Sequence, residues 1–409
     1  MTPIARSCVI VVENLPVPFD RRVWQEAQAL ARAGWRVSVI CPSNDSYPSP
    51  YEVIDDIAIY RHPLPPEGRG VAAYFREYSA ALFHEFRLLL KVRRERGFAV
   101  IQACNPPDLI FLAAAPFKLI GSRFIFDQHD VAPELFVVKY AKKGLLHSAL
   151  LFFERCSYAM ADMVVAANAT FKDLAISRGR KDPARIEVVY GVPDKRRIRR
   201  VKPEPGLRLG RKFVIGYIGI INEQDGVDHF VEAMGQLVHR RDFRDFRGVV
   251  VGSGPALEGV KALATRLGLE DFILFTGYLS GETLLAHISA FDIGVIPDPL
   301  NEANDVMSMN KVFEYCALGI PTACYPLRET MRLLGDAGVY APTPDPAGLA
   351  DACFSLMQDG ALRVRCATEA ARLSRETFVW ENEAKKYVEV YERVLRTTAV
   401  AETAARAKG

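Results

Sequence analysis

Several features that would assign a protein to a familiar class are missing from this chain of 409 residues. Its eight cysteines are scattered, with no CxxC pair and no cysteine–histidine cluster at zinc spacing, which argues for reduced thiols. The net charge of +3 is small for this length and predicts no general affinity for nucleic acid. The apolar runs at 8–12 and 109–117 are too short for a signal peptide and a membrane span, respectively. We therefore expect a cytoplasmic protein that is neither exported nor membrane-spanning.

What the chain does contain is a repeating alternation of strand-like and helical segments. Short β-branched runs begin at residues 8, 35, 98, 123, 163 and 185, and again at 213, 248, 272, 291 and 321. Segments of helical period separate them, and Asp20 is placed to cap the first helix. This alternation is typical of doubly wound α/β domains, and the length exceeds what one hydrophobic core usually supports.

A basic stretch at 194–212 separates the two halves. Nine Lys or Arg residues face two acids there, with two prolines and two glycines, which is typical of a linker. We predict that its charges are solvated, attraction to anionic lipid being the minority interpretation. The predicted domains are 1–195 and 210–376, followed by a terminal helix and tail at 377–409.

The most informative stretch is 308–321, SMNKVFEYCALGIP, which follows a strand-like run across a polar loop. It predicts a helix that begins near Ser308 and carries Lys311 and Glu314 on one face. Because a helix start has unpaired N–H groups, this is a natural place for a phosphate, and Glu314 could accept hydrogen bonds from a diol. The alternative is that Lys311 and Glu314 are only a solvated pair on the helix surface.

Two further loops follow strands directly, where open α/β sheets bind their ligands. One carries Asn105 and Asp108, and the other carries His129 and Asp130. A histidine is more often a packing or surface residue than a functional one. The position of His129 at the end of a strand, between acidic neighbours, favours a functional role over the other six histidines.

Several of these segments resemble glycosyltransferase family 4, a family of retaining enzymes. In the second half the matching segments are GYIG, VVGSGP, LFTGYL, FDIGVIP and NKVFEYCALGIP, in the family's order and spacing. The glycines of VVGSGP alone would be an incomplete dinucleotide fingerprint. In the first half, NPPD, FDQHD and the segment from VVENLP to VSVICP are similar to the family's N-terminal domain. The resemblance implies the GT-B fold: two Rossmann-like domains facing across a cleft, with a C-terminal helix that crosses back.

The resemblance also implies an activity and a set of site residues. It implies transfer of a sugar from a nucleoside diphosphate sugar to a saccharide or lipid-linked saccharide, in cell-envelope or exopolysaccharide biosynthesis. His129 and Lys311 would be the catalytic residues, His129 lining the sugar and Lys311 stabilising the leaving phosphate. The donor-binding residues would be Glu314, Ser308, Met309, Asn310, Tyr278, Leu279, Gly219 and Asn222. The acceptor-side residues would be Asp20, Asn105, Asp108 and Asp130.

The chain departs from the family at three positions. Where many members have an Arg, a Lys and a Glu near the donor, this sequence has Ile220, Asp225 and Val306. Two alternatives therefore stay open: a nucleotide-sugar epimerase of the same architecture, and a non-catalytic partner subunit. There is no Asp-x-Asp segment, so we expect neither a metal nor a cofactor.

The segment 74–96 has a helical stripe of aromatic and aliphatic residues that ends in a basic cluster. Most such helices bury the stripe in their own domain. The same pattern suits a helix on a membrane surface, so an anionic membrane is a minority expectation as a further partner. The protein would then be peripheral on the inner face of the membrane.

Overall fold

The computed structural model describes residues 6–63 and 71–406, leaving aside the side chains of 71–75, 77–78 and 397–406. The chain divides into two compact units, Met1–Tyr190 with Glu381–Gly409, and Gly191–Trp380. Each unit has one sheet of mainly parallel strands connected by helices. The two-domain α/β fold predicted from the sequence is therefore confirmed.

The first unit is built on eight strands. Its elements are β1 (Ser7–Val11), α1 (Arg21–Arg32), β2 (Arg36–Pro42), β3 (Tyr51–Ile54), β4 (Ile57–His62), α2 (Val71–Glu95), β5 (Val100–Cys104), α3 (Phe111–Leu119), β6 (Arg123–Gln128), α4 (Ala132–Tyr140), α5 (Leu145–Met160), β7 (Met163–Ala166), α6 (Ala169–Ser177) and β8 (Ile186–Val188). The strand order is β3-β4-β2-β1-β5-β6-β7-β8, and only β3 is antiparallel to its neighbour. The strands β2 to β4 lie on one side of β1, and the strands from β5 onward lie on the other side. The carboxyl ends of β1 and β5 therefore form the switch point where such sheets bind ligands.

The second unit is built on six parallel strands. Its elements are β9 (Phe213–Ile218), α7 (Val227–His239), β10 (Phe246–Val251), α8 (Leu257–Arg266), β11 (Ile273–Gly277), α9 (Gly281–Ile288), β12 (Ile293–Ile296), α10 (Asn310–Ala317), β13 (Thr322–Cys324), α11 (Arg328–Leu334), β14 (Gly338–Tyr340), α12 (Pro346–Gln358) and α13 (Gly360–Glu376). The strand order is β11-β10-β9-β12-β13-β14, which puts the switch point between β9 and β12. The last helix, α14 (Trp380–Arg406), lies almost wholly in the first unit.

The central strands are apolar for a physical reason. The strands β1, β5 and β9 are buried along their whole length, because helices cover both faces of a doubly wound sheet. Among the described residues, no helix is long and apolar enough to cross a bilayer.

The basic stretch at 194–212 differs from its prediction as a solvated linker. It lies along the second unit, where the Arg208 guanidinium pairs with Asp292 at 2.8 Å. Arg200 donates to the carbonyl of Leu318 at 2.6 Å, at the end of α10. The apolar residues Ile198 and Leu207 within the stretch are buried. Part of the positive charge is therefore used to bind this segment to the second unit.

Candidate active site

In the first unit, the loops after β5 and β6 are tied together by Asn105. Its Oδ1 accepts from the backbone N–H groups of His129 (2.7 Å) and Asp130 (3.3 Å). Its Nδ2 donates to Asp108 Oδ1 at 2.8 Å and to the carbonyl of Asp130 at 2.9 Å. Asn105 is 2% exposed, so its side chain is held in place and its hydrogen bonds fix these two loops relative to each other. Its predicted acceptor contact would have to compete with these internal bonds.

The three acids predicted on the acceptor side lie in different environments. Asp20 caps α1, accepting from the backbone N–H of Val23 at 3.1 Å, which confirms the predicted cap. Asp108 is buried, and burial raises its pKa to about 7 although the hydrogen bond from Asn105 works to lower it. Burial also raises the pKa of the half-buried Asp130, against the opposing charge of His129.

His129 lies beside Asp127, one of the two acidic neighbours that it has in the sequence. Its Nε2 lies 2.9 Å from Asp127 Oδ2 and 3.1 Å from Arg22 Nε. Burial is the largest single influence and works to lower the pKa of His129, but the charge of Asp127, its hydrogen bond and the charge of Glu26 together raise it. The raised pKa favours the imidazolium, whose Nε2–H donates to Asp127 and therefore does not accept from Arg22.

Asp127 is shared by several groups because it is wholly buried. Besides His129, it accepts from Arg22 at 3.2 Å and from the Gln102 amide at 2.8 Å. Burial works against its ionisation, yet the charges of His129 and Arg22 hold its pKa below the usual range. The neighbouring Glu26 differs, because burial and the charge of Asp127 raise its pKa to about 8. The Glu26 carboxyl is thus kept neutral and the Asp127 carboxyl ionised.

The terminal helix α14 reaches this network through two tyrosines. The hydroxyls of Tyr387 and Tyr391 donate to Gln102 Oε1 at 2.7 and 2.6 Å. With its carbonyl held in this way, Gln102 turns its amide N–H groups towards Asp127 and Glu26 (3.1 Å). The helix therefore fixes the partner of His129 through one intermediate side chain.

One group among the described residues could offer three metal ligands, namely Cys104, Asp127 and His129. Their ligand atoms lie within 4.8 Å of one another. However, burial and then the charge of Asp127 raise the pKa of the Cys104 thiol well above normal. The Arg22 guanidinium also contacts His129 and Asp127. A protonated thiol and a fixed positive charge make this a poor site for a cation.

In the second unit, the predicted donor helix is present as α10. It begins at Asn310 with Met309 as its N-cap residue, and no side chain caps it. Ser308 Oγ is buried and has no hydrogen-bond partner among the described residues. Asn310 is exposed, and Glu314 is half-buried one turn into the helix. The helix start thus presents its N–H groups at the carboxyl edge of the sheet, next to the switch point.

Lys311 is not the surface residue of a solvated pair, and that alternative is wrong. Lys311 is only 7% exposed. Its Nζ lies 2.6 Å from Asp298 Oδ2 and 5.1 Å from the centroid of the Tyr217 ring. Asp298 is 1% exposed and follows β12, so the pair joins two different elements. Sequence reasoning missed Asp298 because it considered only neighbours along the helix.

The glycines after β9 and β10 are required by close approach of backbone to backbone. Gly252 has φ +148°, and a Cβ there would lie 1.8 Å from the carbonyl oxygen of Gly219. A Cβ at Gly254 would lie 2.3 Å from the carbonyl oxygen of Ile221. Gly219 itself has φ +153°, and its Cβ position is 3.6 Å from Lys311 Cε. These glycines bring the loops together and place Gly219 against Lys311.

The remaining donor residues lie on the same edge of the sheet. Asn222 caps a short 3-10 turn together with Asp225, whose carboxylate accepts from the Asn222 backbone N–H at 2.9 Å. Tyr278 is 61% exposed and Leu279 is half-buried, just after β11. The structure therefore brings Gly219, Asn222 and Lys311 to the switch point, while Tyr278 and Leu279 lie two strands away.

Comparison with known proteins agrees with this architecture. Residues 20–191 match the family model described as "Glycosyl transferase 4-like domain", and residues 212–359 match "Glycosyl transferases group 1". A curated relative, 2-deoxystreptamine glucosyltransferase of Streptomyces kanamyceticus, is 25% identical over 74% of this chain and 80% of its own length. The matches to most other curated relatives span about half of their length or less.

Solved structures show the same fold. Sucrose-phosphate synthase of Thermosynechococcus elongatus superposes with a TM-score of 0.78 at 16% identity, covering 96% of this chain and 100% of that one. Anabaena HepE in complex with UDP and glucose gives 0.69 at 14% identity, covering 97% and 100%. The two Rossmann-like units thus have the GT-B fold. With both family models matched, the chain belongs to the glycosyltransferase 4-type family.

Proposed function

We propose that this glycosyltransferase is a retaining enzyme that uses a nucleoside diphosphate sugar as donor. The acceptor would be a hydroxyl of a saccharide or lipid-linked saccharide, in cell-envelope or exopolysaccharide biosynthesis. The departing phosphate would help to deprotonate the acceptor, so no covalent enzyme intermediate is needed. We further propose that the enzyme needs no metal or cofactor, and that it works in the cytoplasm, at the inner face of the membrane when the acceptor is lipid-linked.

The observation that carries the donor proposal is the place of Lys311 and the start of α10. Both lie at the switch point between β9 and β12, where ligands of open α/β sheets bind. N–H groups at a helix start favour a phosphate, and the Lys311 ammonium lies one residue inside that start. The HepE complexes with UDP, UDP-glucose, and UDP and glucose support a nucleotide sugar as donor.

The remaining roles follow from position. Glu314, one turn into α10, would accept from the ribose hydroxyls, and the loop at Tyr278 and Leu279 would contact the base. His129, whose ring is held by Asp127, would orient the sugar. Asp20, Asp108 and Asp130 would face the acceptor, with Asn105 fixing the loops of Asp108 and Asp130. No observation favours an epimerase or a non-catalytic subunit.

A thermal-shift panel of UDP, GDP and ADP tests the donor proposal. A nucleotide at 100 times its Kd should stabilise the protein by about 2.7 kcal/mol. Glu314→Ala should abolish most of that shift, whereas the matched control Glu270→Ala, an exposed acid before β11, should leave it intact. No shift with any nucleotide would refute the donor proposal.

Transfer itself is tested by incubating the stabilising donor with and without acceptors in the presence of EDTA. We expect glycosylated acceptor with retained anomeric configuration, and an unchanged sugar when acceptor is absent. Sugar conversion without acceptor would identify an epimerase. Tight nucleotide binding without any turnover would favour the non-catalytic subunit.

A further inference from the structure

Three helices of the first unit lie side by side and expose their outer faces. The middle helix, α3, contacts α2 through the Phe86 and Phe117 rings, whose centroids are 5.9 Å apart. On its other side, Lys118 Nζ donates to the carbonyl of Met160 in α5 at 2.7 Å. Leu89 of α2 and Ala114 of α3 are buried. The sides turned away from these contacts therefore form one surface.

That surface is unusually apolar. Of the eighteen large hydrophobic residues that are exposed in the described part of the chain, eight lie on these helices or at their ends, so the exposed hydrophobic area is concentrated here. The largest exposed fractions are those of Leu145 (92%), Leu119 (89%), Ile120 (64%) and Phe152 (61%). We call the eight residues the apolar face: Phe83, Leu90, Leu112, Leu119, Ile120, Leu145, Leu146 and Phe152.

The spacing of the apolar face rules out scattered exposure. Phe83 and Leu90 are seven residues apart on α2, as are Leu112 and Leu119 on α3, and Leu145 and Phe152 on α5. A separation of seven returns to the same side of a helix, so each helix presents a stripe. Large exposed apolar patches mark interaction sites, because exposing them to water is costly.

The charges around the apolar face are almost all positive. Its exposed cations are Arg76, Arg87, Lys91, Arg94, Lys142, Lys143 and Arg155. Among the described side chains of α2, α3, α5 and the 141–144 turn, Glu95 is the exposed acid, and it pairs with Lys91 at 3.9 Å. The other two acids, Glu85 and Glu154, are buried. The surface therefore combines apolar side chains with net positive charge.

We propose that the apolar face docks on the surface of an anionic lipid bilayer, with its cations against the lipid phosphates. This deepens the peripheral location proposed above and rests on it. Apolar side chains flanked by Lys and Arg suit the interface of a membrane with anionic headgroups. A second copy of the chain fits less well, because a two-fold interface would place the same cations against one another.

The test is sedimentation of the full chain with sucrose-loaded vesicles of phosphatidylglycerol and phosphatidylcholine, or of phosphatidylcholine alone. We expect binding to the anionic vesicles that falls at least tenfold between 0.1 and 0.5 M salt, because salt shortens the Debye length from its value of about 10 Å at 0.1 M. The variants Leu119→Ser with Ile120→Ser, and Lys142→Gln with Lys143→Gln, should each weaken binding about tenfold. The matched control is Val364→Ser with Arg244→Gln, an exposed apolar residue and an exposed cation of the second unit.

Several results would overturn the proposal. These are no binding to anionic vesicles, equal binding to neutral ones, or variants that bind as well as the wild type. A dimer in size-exclusion chromatography that the Leu119→Ser and Ile120→Ser pair dissociates would assign the surface to a second copy. The nucleotide-induced thermal shift of each variant shows that it is folded. It also separates failure of membrane docking from failure of the proposed donor site.

Discussion

Removing Lys311 should destabilise the second unit as well as impair catalysis. In Lys311→Ala, the Asp298 carboxylate, which is 1% exposed in the native structure, loses the ammonium 2.6 Å away. Breaking a buried pair by removing one partner costs about 3–5 kcal/mol. For a unit of 150–250 residues each kcal/mol lowers Tm by about 2–4 °C, so the expected loss is roughly 6–20 °C.

A second variant separates structure from catalysis. Lys311→Met with Asp298→Asn removes both charges and should recover most of the lost stability. If Lys311 also stabilises the leaving phosphate, the double variant stays about 10- to 150-fold below wild type in kcat/KM, the equivalent of a hydrogen bond to a charged group at about 1.5–3 kcal/mol. Calorimetry and initial rates on both variants give the two quantities independently.

The matched control is Lys261→Ala, which breaks the exposed pair with Glu258 at 2.8 Å. Such surface pairs contribute about 0–1 kcal/mol, so its Tm should hardly change. If the Tm of Lys311→Ala falls no further than that of Lys261→Ala, the pair of Lys311 with Asp298 contributes no net stability and the reasoning fails. If the double variant is stable and fully active, Lys311 has no part in leaving-group stabilisation.

Four other predictions concern single carboxyl or imidazole groups. Glu314→Ala should weaken UDP or GDP binding in calorimetric titration with little change in Tm, and the reverse result would make it a structural residue. His129→Ala should lower kcat with little change in donor KM, since a group that acts in the transition state contributes there; Asp127→Asn should move the imidazole pKa of His129 downwards in an NMR titration, and a pKa that stays put would remove Asp127 as its counter-ion. The pKa of Glu26 is raised from 4.5 to about 8, mainly by burial. The folded state therefore holds a proton that the unfolded state releases, so stability from this group is present below about pH 4.5 and lost as the pH rises through 8. Glu26→Gln should flatten that fall in chemical denaturation, and an unchanged slope would assign it to other groups.

The parallel core of both units was predictable because its strands are continuous β-branched runs. The strands missed by sequence reasoning are short or lie away from the centre. In β3, exposed and half-buried residues alternate over only four positions, and Asp55 and Asp56 at the turn to β4 have positive φ. The strand β14 has three residues, all half-buried. Short strands of this kind depend on a neighbouring strand that the sequence does not identify.

The site was predictable where it depends on spacing along one element. The helix α10 and the cap at Asp20 follow from local pattern, and the structure contains both. The contacts of Lys311 with Asp298 and of His129 with Arg22 depend on tertiary structure, so spacing could not supply them. A usable signal did exist, because Gln102 lies inside the otherwise apolar strand β5 and Asp127 directly follows three apolar residues of β6. A buried polar group needs a partner, which makes such positions candidates for a network.

The charge balance at the second unit's switch point explains how a diphosphate could be held without the family's usual cations. Ile220 is 64% exposed and Asp225 is half-buried, so neither adds positive charge. The Lys311 charge is matched by Asp298, while burial raises the pKa of Asp225 against the opposing effect of the Lys311 charge. A dianion approaching this site raises the pKa of Asp225 further, since like charges favour the protonated form. The N–H groups of α10 and the Lys311 ammonium are therefore the attractive groups for the proposed diphosphate, and the Asp225 carboxylate opposes them.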